Sequence, residues 1–253
     1  YPELIFICPV CKGDLTAGEN NGYRCPACNE VYPVVSGIWD ALPRNSPHRK
    51  YLGFYEGVGV SMDKTGVARL NAQKFKCPNV LSVLSAGLQI QSCLDIGCGG
   101  GWFMEEFIRH KPIDKTIGMD ISLVRLREAQ SRLPATTLIR GDVESIPLAD
   151  NSIDLSVVLD VIEHIEHPEV LLKEISRISS HLIIKFPIED TIFDRFRKDW
   201  WQKCKRFFQR LAGRSSPTEP FEAHLHRFNV NKALHLLKDT GFSIRKKLLV
   251  ELP

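Results

Sequence analysis

Residues 93–101 read C-L-D-I-G-C-G-G-G, a short apolar run that breaks into a glycine-rich turn, and Trp102 to His110 then continues with helical periodicity. Glycines at 97, 99 and 101 let the backbone pass close to a ligand where a Cβ would collide with it. The unit then repeats. Thr116 to Asp120 predicts a second strand ending in an acid, Thr137 to Asp142 a third ending in another, Ser152 to Leu159 a fourth and Leu182 to Pro187 a fifth. The fourth is nearly all apolar, as a strand covered on both faces must be. Strands alternating with helices in this way predict an α/β fold, a doubly wound parallel sheet whose ligand lies at the carboxyl ends of the strands.

The glycine run alone does not select a ligand, because nicotinamide enzymes use a related turn. The series L-D-I-G-C-G-G-G, G-M-D, G-D-V-E-S-I-P-L-A-D-N-S-I-D and L-D-V-I-E-H-I, covering roughly residues 75 to 248, resembles the class I S-adenosylmethionine-dependent methyltransferases of type 11. That resemblance implies a Rossmann-like sheet and S-adenosylmethionine as cofactor. It puts Asp95 and the turn of Gly97, Gly99 and Gly101 at the methionine part, Asp120 at the ribose, Asp142 with the Val143 amide at the adenine, and Leu159 among the cofactor contacts. Gly241 to Ile244 corresponds to the family's sixth strand, and only Leu248 to Pro253 remain for its usual seventh, which is either very short or cut.

Methyl transfer to oxygen or nitrogen is an in-line displacement, in which the enzyme aligns a nucleophile and helps remove its proton. Residues at the end of the fourth strand face that chemistry: Asp160, Glu163 and His164, with His224 and His226 farther along. D-x-x-E-H spacing on a helical turn could share one divalent cation such as Mg, giving a second metal site of Asp160, Glu163, His164 and His226. It resembles the E-x-x-E-H of metal-assisted O-methyltransferases, with aspartate replacing the first glutamate. Without a metal, His164, His224 or His226 is a candidate general base, with Asp160 among the candidate catalytic residues.

Eight cysteines include two C-x-x-C pairs, Cys8/Cys11 and Cys25/Cys28, separated by thirteen residues. Two such knuckles complete a tetrahedron of thiolates, the pattern of a closed structural zinc site. Val31 to Ile38 reads as a strand, a turn and another short strand, and the segment resembles the small zinc-ribbon proteins that accompany tRNA and rRNA methyltransferases. Expected domains are a zinc ribbon over 1–42, a linker or lid over 43–74, and the cofactor domain over 75–253 with an insertion at about 188–222. The lid reading comes from Pro43, Pro47, four glycines and the aromatics Tyr51, Phe54 and Tyr55.

The formal charge of +3 argues for no polyanion by itself. Charge concentrates instead at 192–214, where eight lysines and arginines crowd around the stripe Ile192, Phe196, Trp200, Cys204, Phe207 and Leu211. Such a helix suits an anionic membrane surface and a small or lipid-linked acceptor, RNA phosphates, or plain solvation on the domain surface. With neither an apolar span nor a signal segment, the expected location is cytoplasmic, with a peripheral membrane contact as an alternative. A non-catalytic module that keeps the cofactor fold is the competing class, which the intact glycines and acids oppose.

Overall fold

The computed structural model describes residues 6–62, 66–85, 87–188 and 225–249. The chain opens with short strands β1 (Thr16–Ala17), β2 (Tyr23–Arg24) and β3 (Val31–Tyr32), which form a small antiparallel sheet. Strands β4 (Val34–Val35) and β5 (Ile38–Asp40) follow as a hairpin. Its two turn residues, Ser36 and Gly37, both lie in the left-handed region with φ 52° and 80°, as a two-residue turn matched to strand twist requires.

A helical stretch comes next, with a 3-10 turn over Pro47–Tyr51, α1 (Leu52–Met62), α2 (Val67–Asn71), a π-helical turn over Ala72–Lys76 and α3 (Cys77–Val83). The alternating unit then runs β6 (Ser92–Ile96), α4 (Trp102–His110), β7 (Lys115–Asp120), α5 (Leu123–Arg132), β8 (Thr137–Arg140), β9 (Ile153–Leu159), α6 (Pro168–Ile178), β10 (Ser179–Lys185) and α7 (Val230–Asp239). Side chains start these helices: Ser122 accepts from the Arg125 amide ahead of α5, and Asn229 from the Lys232 amide ahead of α7. Pro168 occupies the first turn of α6, whose Leu171, Leu172, Ile175 and Ile178 are fully buried against the sheet. Each such residue removes roughly 1.5–3 kcal/mol of apolar surface from water.

Among the described residues the large sheet has the order β10-β9-β6-β7-β8-β5-β4. The first five of these are mutually parallel, β5 runs parallel to β8, and β4 closes that edge antiparallel. The five strands expected from the sequence are all present. Two expectations change. The hairpin of β4 and β5, counted with the ribbon, belongs to the large sheet through the pairs Trp39 with Ile139 and Asp40 with Arg140, so no structural boundary falls at residue 42. Gly241–Ile244 forms no strand, and β10 has no further neighbour in the sheet among the described residues.

One apolar core joins Cys8, Cys25, Tyr32 and Trp39 to Leu94, Ile96, Ile117 and Met119 of the central strands. The Trp39 ring lies 4.9 Å from Phe6 and 4.8 Å from Tyr23, stitching the ribbon onto the hairpin. Polar contacts strengthen the junction. Ile7 donates its amide to the Pro147 carbonyl at 3.1 Å, the Ser145 hydroxyl donates to the Pro9 carbonyl, and Lys12 pairs with Glu174 at 2.6 Å. The segment over 145–148, just past Asp142, is thus held by the first cysteine knuckle.

Candidate functional site

The tips of β6 and β7 meet at the glycine turn, and the tip of β8 lies beside that of β7, where Gly141 donates its amide to the Asp120 carbonyl at 3.1 Å. Gly97 and Cys98 donate their amides to the Met119 carbonyl at 2.7 and 3.1 Å, and Gly99 donates to the Asp120 carboxylate at 2.9 Å. Gly97 has φ 72°, and a Cβ there would lie 2.3 Å from Val161 Cγ2. The turn therefore admits no side chain at that position. Asp120 also accepts the Ser122 amide at 2.8 Å, on its other oxygen. Burial pushes its carboxyl above the ordinary range, while the Ser122 and Gly99 amides pull it back.

Asp95 is buried, and its Oδ2 has no hydrogen-bond partner among the described residues. Burial pushes this carboxyl up to about 7, against the lowering field of Lys76. A buried carboxylate oxygen left without a donor costs free energy until a cation or donor reaches it. The α-ammonium of S-adenosylmethionine has that chemistry, hydroxyls of its ribose suit Asp120, and the bare backbone at Gly97 gives the room; these residues fit the cofactor.

Asp142 lies beyond the end of β8, buried, and the helical stretch reaches it from the other side. Its Oδ2 accepts the Ser46 hydroxyl at 2.6 Å and His48 Nδ1 at 2.8 Å, while Oδ1 accepts the Glu144 amide at 3.0 Å. Despite burial, hydrogen bonds from His48 and Ser46 hold its carboxyl below the ordinary range. His48 Nε2 lies 3.2 Å from the Glu144 carboxylate. The neighbouring Val143 is 9% exposed and Leu159, the last residue of β9, 7%, so both present little but an edge to a ligand. Tyr51 donates to Glu166 at 2.5 Å, and burial together with Asp120 raises the Tyr55 phenol. The segment expected as a linker or lid is thus largely helical, and its Ser46 and His48 reach the end of β8. Ser46 and His48 were missed in the sequence, although Ser46-Pro47 carries a helix-start signature.

The expected second metal site is not assembled. Asp160 has φ 59°, outside any helical turn, and its oxygens are taken by Lys185 Nζ at 2.5 Å and Lys76 Nζ at 2.9 Å. Glu163 is 3% exposed in a 3-10 turn that ends at His164. His226 Nε2 lies 3.1 Å from the Glu166 carbonyl, which can only accept, so that nitrogen carries the proton. A carboxylate already between two ammonium groups has little attraction left for a dication. Lys76 and Lys185 had no local signal in the sequence. His224 and the basic stretch 192–214 lie outside the described residues.

Cys8, Cys11, Cys25 and Cys28 do converge, their sulfurs all within 4.8 Å of one another. Cys8–Cys28 is 3.6 Å and Cys11–Cys25 3.4 Å, too long for disulfides and close to the roughly 3.8 Å edge of a zinc–thiolate tetrahedron with bonds of about 2.3 Å. Among the described residues these are the one group of metal-ligating side chains gathered about a point. The four-thiolate set fits zinc.

Comparison with known proteins agrees with this geometry. Residues 94–181 match the model of the methyltransferase domain family. Residues 94–181 thus carry the match to a methyltransferase domain, and the seven-stranded sheet has the fold of class I methyltransferase structures. Over 86 residues it is 31% identical to a malonyl-[acyl-carrier protein] O-methyltransferase of Hamiltonella defensa, covering 34% of this chain and 33% of that protein. A demethylmenaquinone methyltransferase of Renibacterium salmoninarum is 27% identical over 128 residues, 50% of this chain and 53% of the relative. The chain spans about half or less of the length of such curated relatives. In fold, the methyltransferase domain resembles an S-adenosylmethionine-dependent methyltransferase of Aquifex aeolicus at TM-score 0.52 and 16% identity, over 76% of this chain and 90% of the other. It also resembles a chain of the Haloferax volcanii complex between the Trm112 methyltransferase activator and a methyltransferase, at TM-score 0.56 and 15% identity, over 76% and 77% of the two chains. No helix among the described residues is long and apolar enough to cross a membrane.

Proposed function

We propose that this chain is an S-adenosylmethionine-dependent methyltransferase that methylates oxygen on a small or lipid-linked acceptor, with zinc in its N-terminal ribbon. The observation that carries the reading is the meeting of the β6 and β7 tips at a glycine turn, where Gly99 donates to Asp120, beside a buried aspartate oxygen with no donor among the described residues. When bound, the cofactor supplies an electrophilic methyl on a sulfonium. Asp95 holds the ammonium, Asp120 the ribose hydroxyls, and the Val143 amide with the remaining lone pair of Asp142 Oδ1 the adenine edge. Ser46 and His48, ahead of helix α1, cover Asp142, and Tyr55 of α1 lies in the field of Asp120. Oxygen as the accepting atom is supported by the malonyl-[acyl-carrier protein] O-methyltransferase relative.

Calorimetry with S-adenosylmethionine and S-adenosylhomocysteine tests the class. One site per chain, lost on changing Asp95 to Asn, is the expected outcome, and absence of binding by the native chain refutes the proposal. Elemental analysis tests the ribbon: one zinc per chain is expected, and a chain purified without zinc yet fully folded removes that part.

A further inference from the structure

At the end of β9 one carboxylate is shared by two cations from different parts of the chain. Lys76 comes from the π-helical turn on the N-terminal side and Lys185 from the last position of β10, and Asp160 takes one on each oxygen, at 2.9 and 2.5 Å. The lysine side chains are 24% and 36% exposed and that of Asp160 is 31%, so the group is open to an incoming molecule. Asp160 holds a left-handed backbone, φ 59°, that a non-glycine residue keeps only where its surroundings fix it. Each ammonium has three donors and spends one on Asp160 here. The remaining donors lie at the strand tips where an open α/β sheet receives its ligands, with the buried Asp95 also within the field of Lys76.

We propose that Lys76 and Lys185 seat the carboxylate of an acidic acceptor, Asp160 serving to hold the two ammonium groups in place. This inference rests on the methyltransferase reading and names the acceptor class. The chemistry is consistent with it. A carboxylate arrives without a proton: its oxygen forms the new bond to the methyl carbon, the electron pair of the broken carbon–sulfur bond stays on sulfur, and the products are a neutral ester and a thioether. No general base is needed for that step. Asp160, although burial opposes it, is held low by Lys76 and Lys185 and so is a weak base.

Malonate, inorganic phosphate and neutral malonamide, titrated separately into the chain with and without S-adenosylhomocysteine, test the proposal. Malonate is expected to bind at least tenfold more tightly than malonamide, and Lys185→Met and Lys76→Met each to weaken it at least tenfold. Lys185→Arg should restore malonate binding, which a merely structural role for Lys185 would not predict. Equal binding of malonate and malonamide, or lysine variants that bind malonate as well as the native chain, overturns the anion seat. Phosphate binding more tightly than malonate overturns the carboxylate class. Should Lys76→Met abolish S-adenosylhomocysteine binding and leave malonate binding intact, Lys76 belongs to the cofactor and the two-lysine seat is refuted. Failure of the native chain to bind S-adenosylhomocysteine, with malonate still bound through the lysines, sinks the methyltransferase reading and not the seat.

Discussion

Lys12→Met cuts one tie between the cysteine ribbon and the segment that follows Asp142. Lys12 Nζ pairs with Glu174 at 2.6 Å and donates to the Ile146 carbonyl at 3.3 Å. Methionine keeps the stem and the backbone conformation, since both residues carry a Cβ at φ 60°. The two side chains are 35% and 14% exposed, so the ion pair is only partly desolvated and is worth about 1 kcal/mol. Burial lowers the Lys12 ammonium in spite of its partner, which puts the pair at the modest end. The hydrogen bond to Ile146 adds roughly 0.5–1 kcal/mol. A total near 1.5–2 kcal/mol in a chain of this size should lower Tm by roughly 3–8 °C. Thermal unfolding followed by near-ultraviolet circular dichroism reads this, and a double-mutant cycle with Glu174→Gln should give a coupling of about 1 kcal/mol. Glu174 is held below the ordinary carboxylate range because hydrogen bonds from Arg177 and Lys12 outweigh its burial. Its contribution is therefore present above the ordinary carboxylate value and lost as pH falls through the lowered one, so native and variant curves should converge in acid. A Tm change below about 1 °C, or no coupling, would show that the ribbon is not clamped to this segment as described.

Further outcomes follow from the strand tips. His48 is raised above its ordinary value chiefly by its hydrogen bond to Asp142, so its contribution is complete below the ordinary histidine value and fades as pH rises through the raised one. His48→Ala should accordingly lower the unfolding free energy measured in urea more at pH 6 than at pH 9, by roughly 1–3 kcal/mol at the lower pH; a pH-independent loss contradicts the pairing. For Asp95, raised to about 7 by burial, the folded chain without cofactor loses stability as pH climbs from the ordinary carboxylate value to about 7. Asp95→Asn should raise the Tm of the cofactor-free chain at pH 8, the reverse of the usual effect of removing a buried group, and a lowered Tm there argues against an unpartnered oxygen. Stripping metal from the four cysteines with a chelator and a thiol reagent should perturb the fluorescence of Trp39, 4% exposed and packed on the ribbon, together with the sheet edge. An unchanged spectrum would mean that the hairpin stands without metal.

Local chemistry made a good part of this molecule readable from its sequence. The period of the apolar runs gave the five parallel strands, because a strand covered on both faces admits little else than apolar residues. Cys8, Cys11, Cys25 and Cys28 announced their cluster because each pair sits on one turn, and the turn at Gly97 announced itself because only glycine accepts that backbone against Val161. What these signals share is short range: a few consecutive residues fix their geometry. Tertiary structure alone decided where long-range partners meet. The hairpin at 34–40 reads as ribbon until the edge of β8 proves to be its partner, a choice made by the burial of Trp39 and not by the hairpin. Ser46 and His48 reach Asp142 across more than ninety residues, and Lys76 and Lys185 close on Asp160 from opposite ends of the domain. An ion pair has no sequence period, since its partners are chosen by the packing of the elements that carry them; the spacing D-x-x-E-H therefore suggested a metal where the fold had placed two lysines.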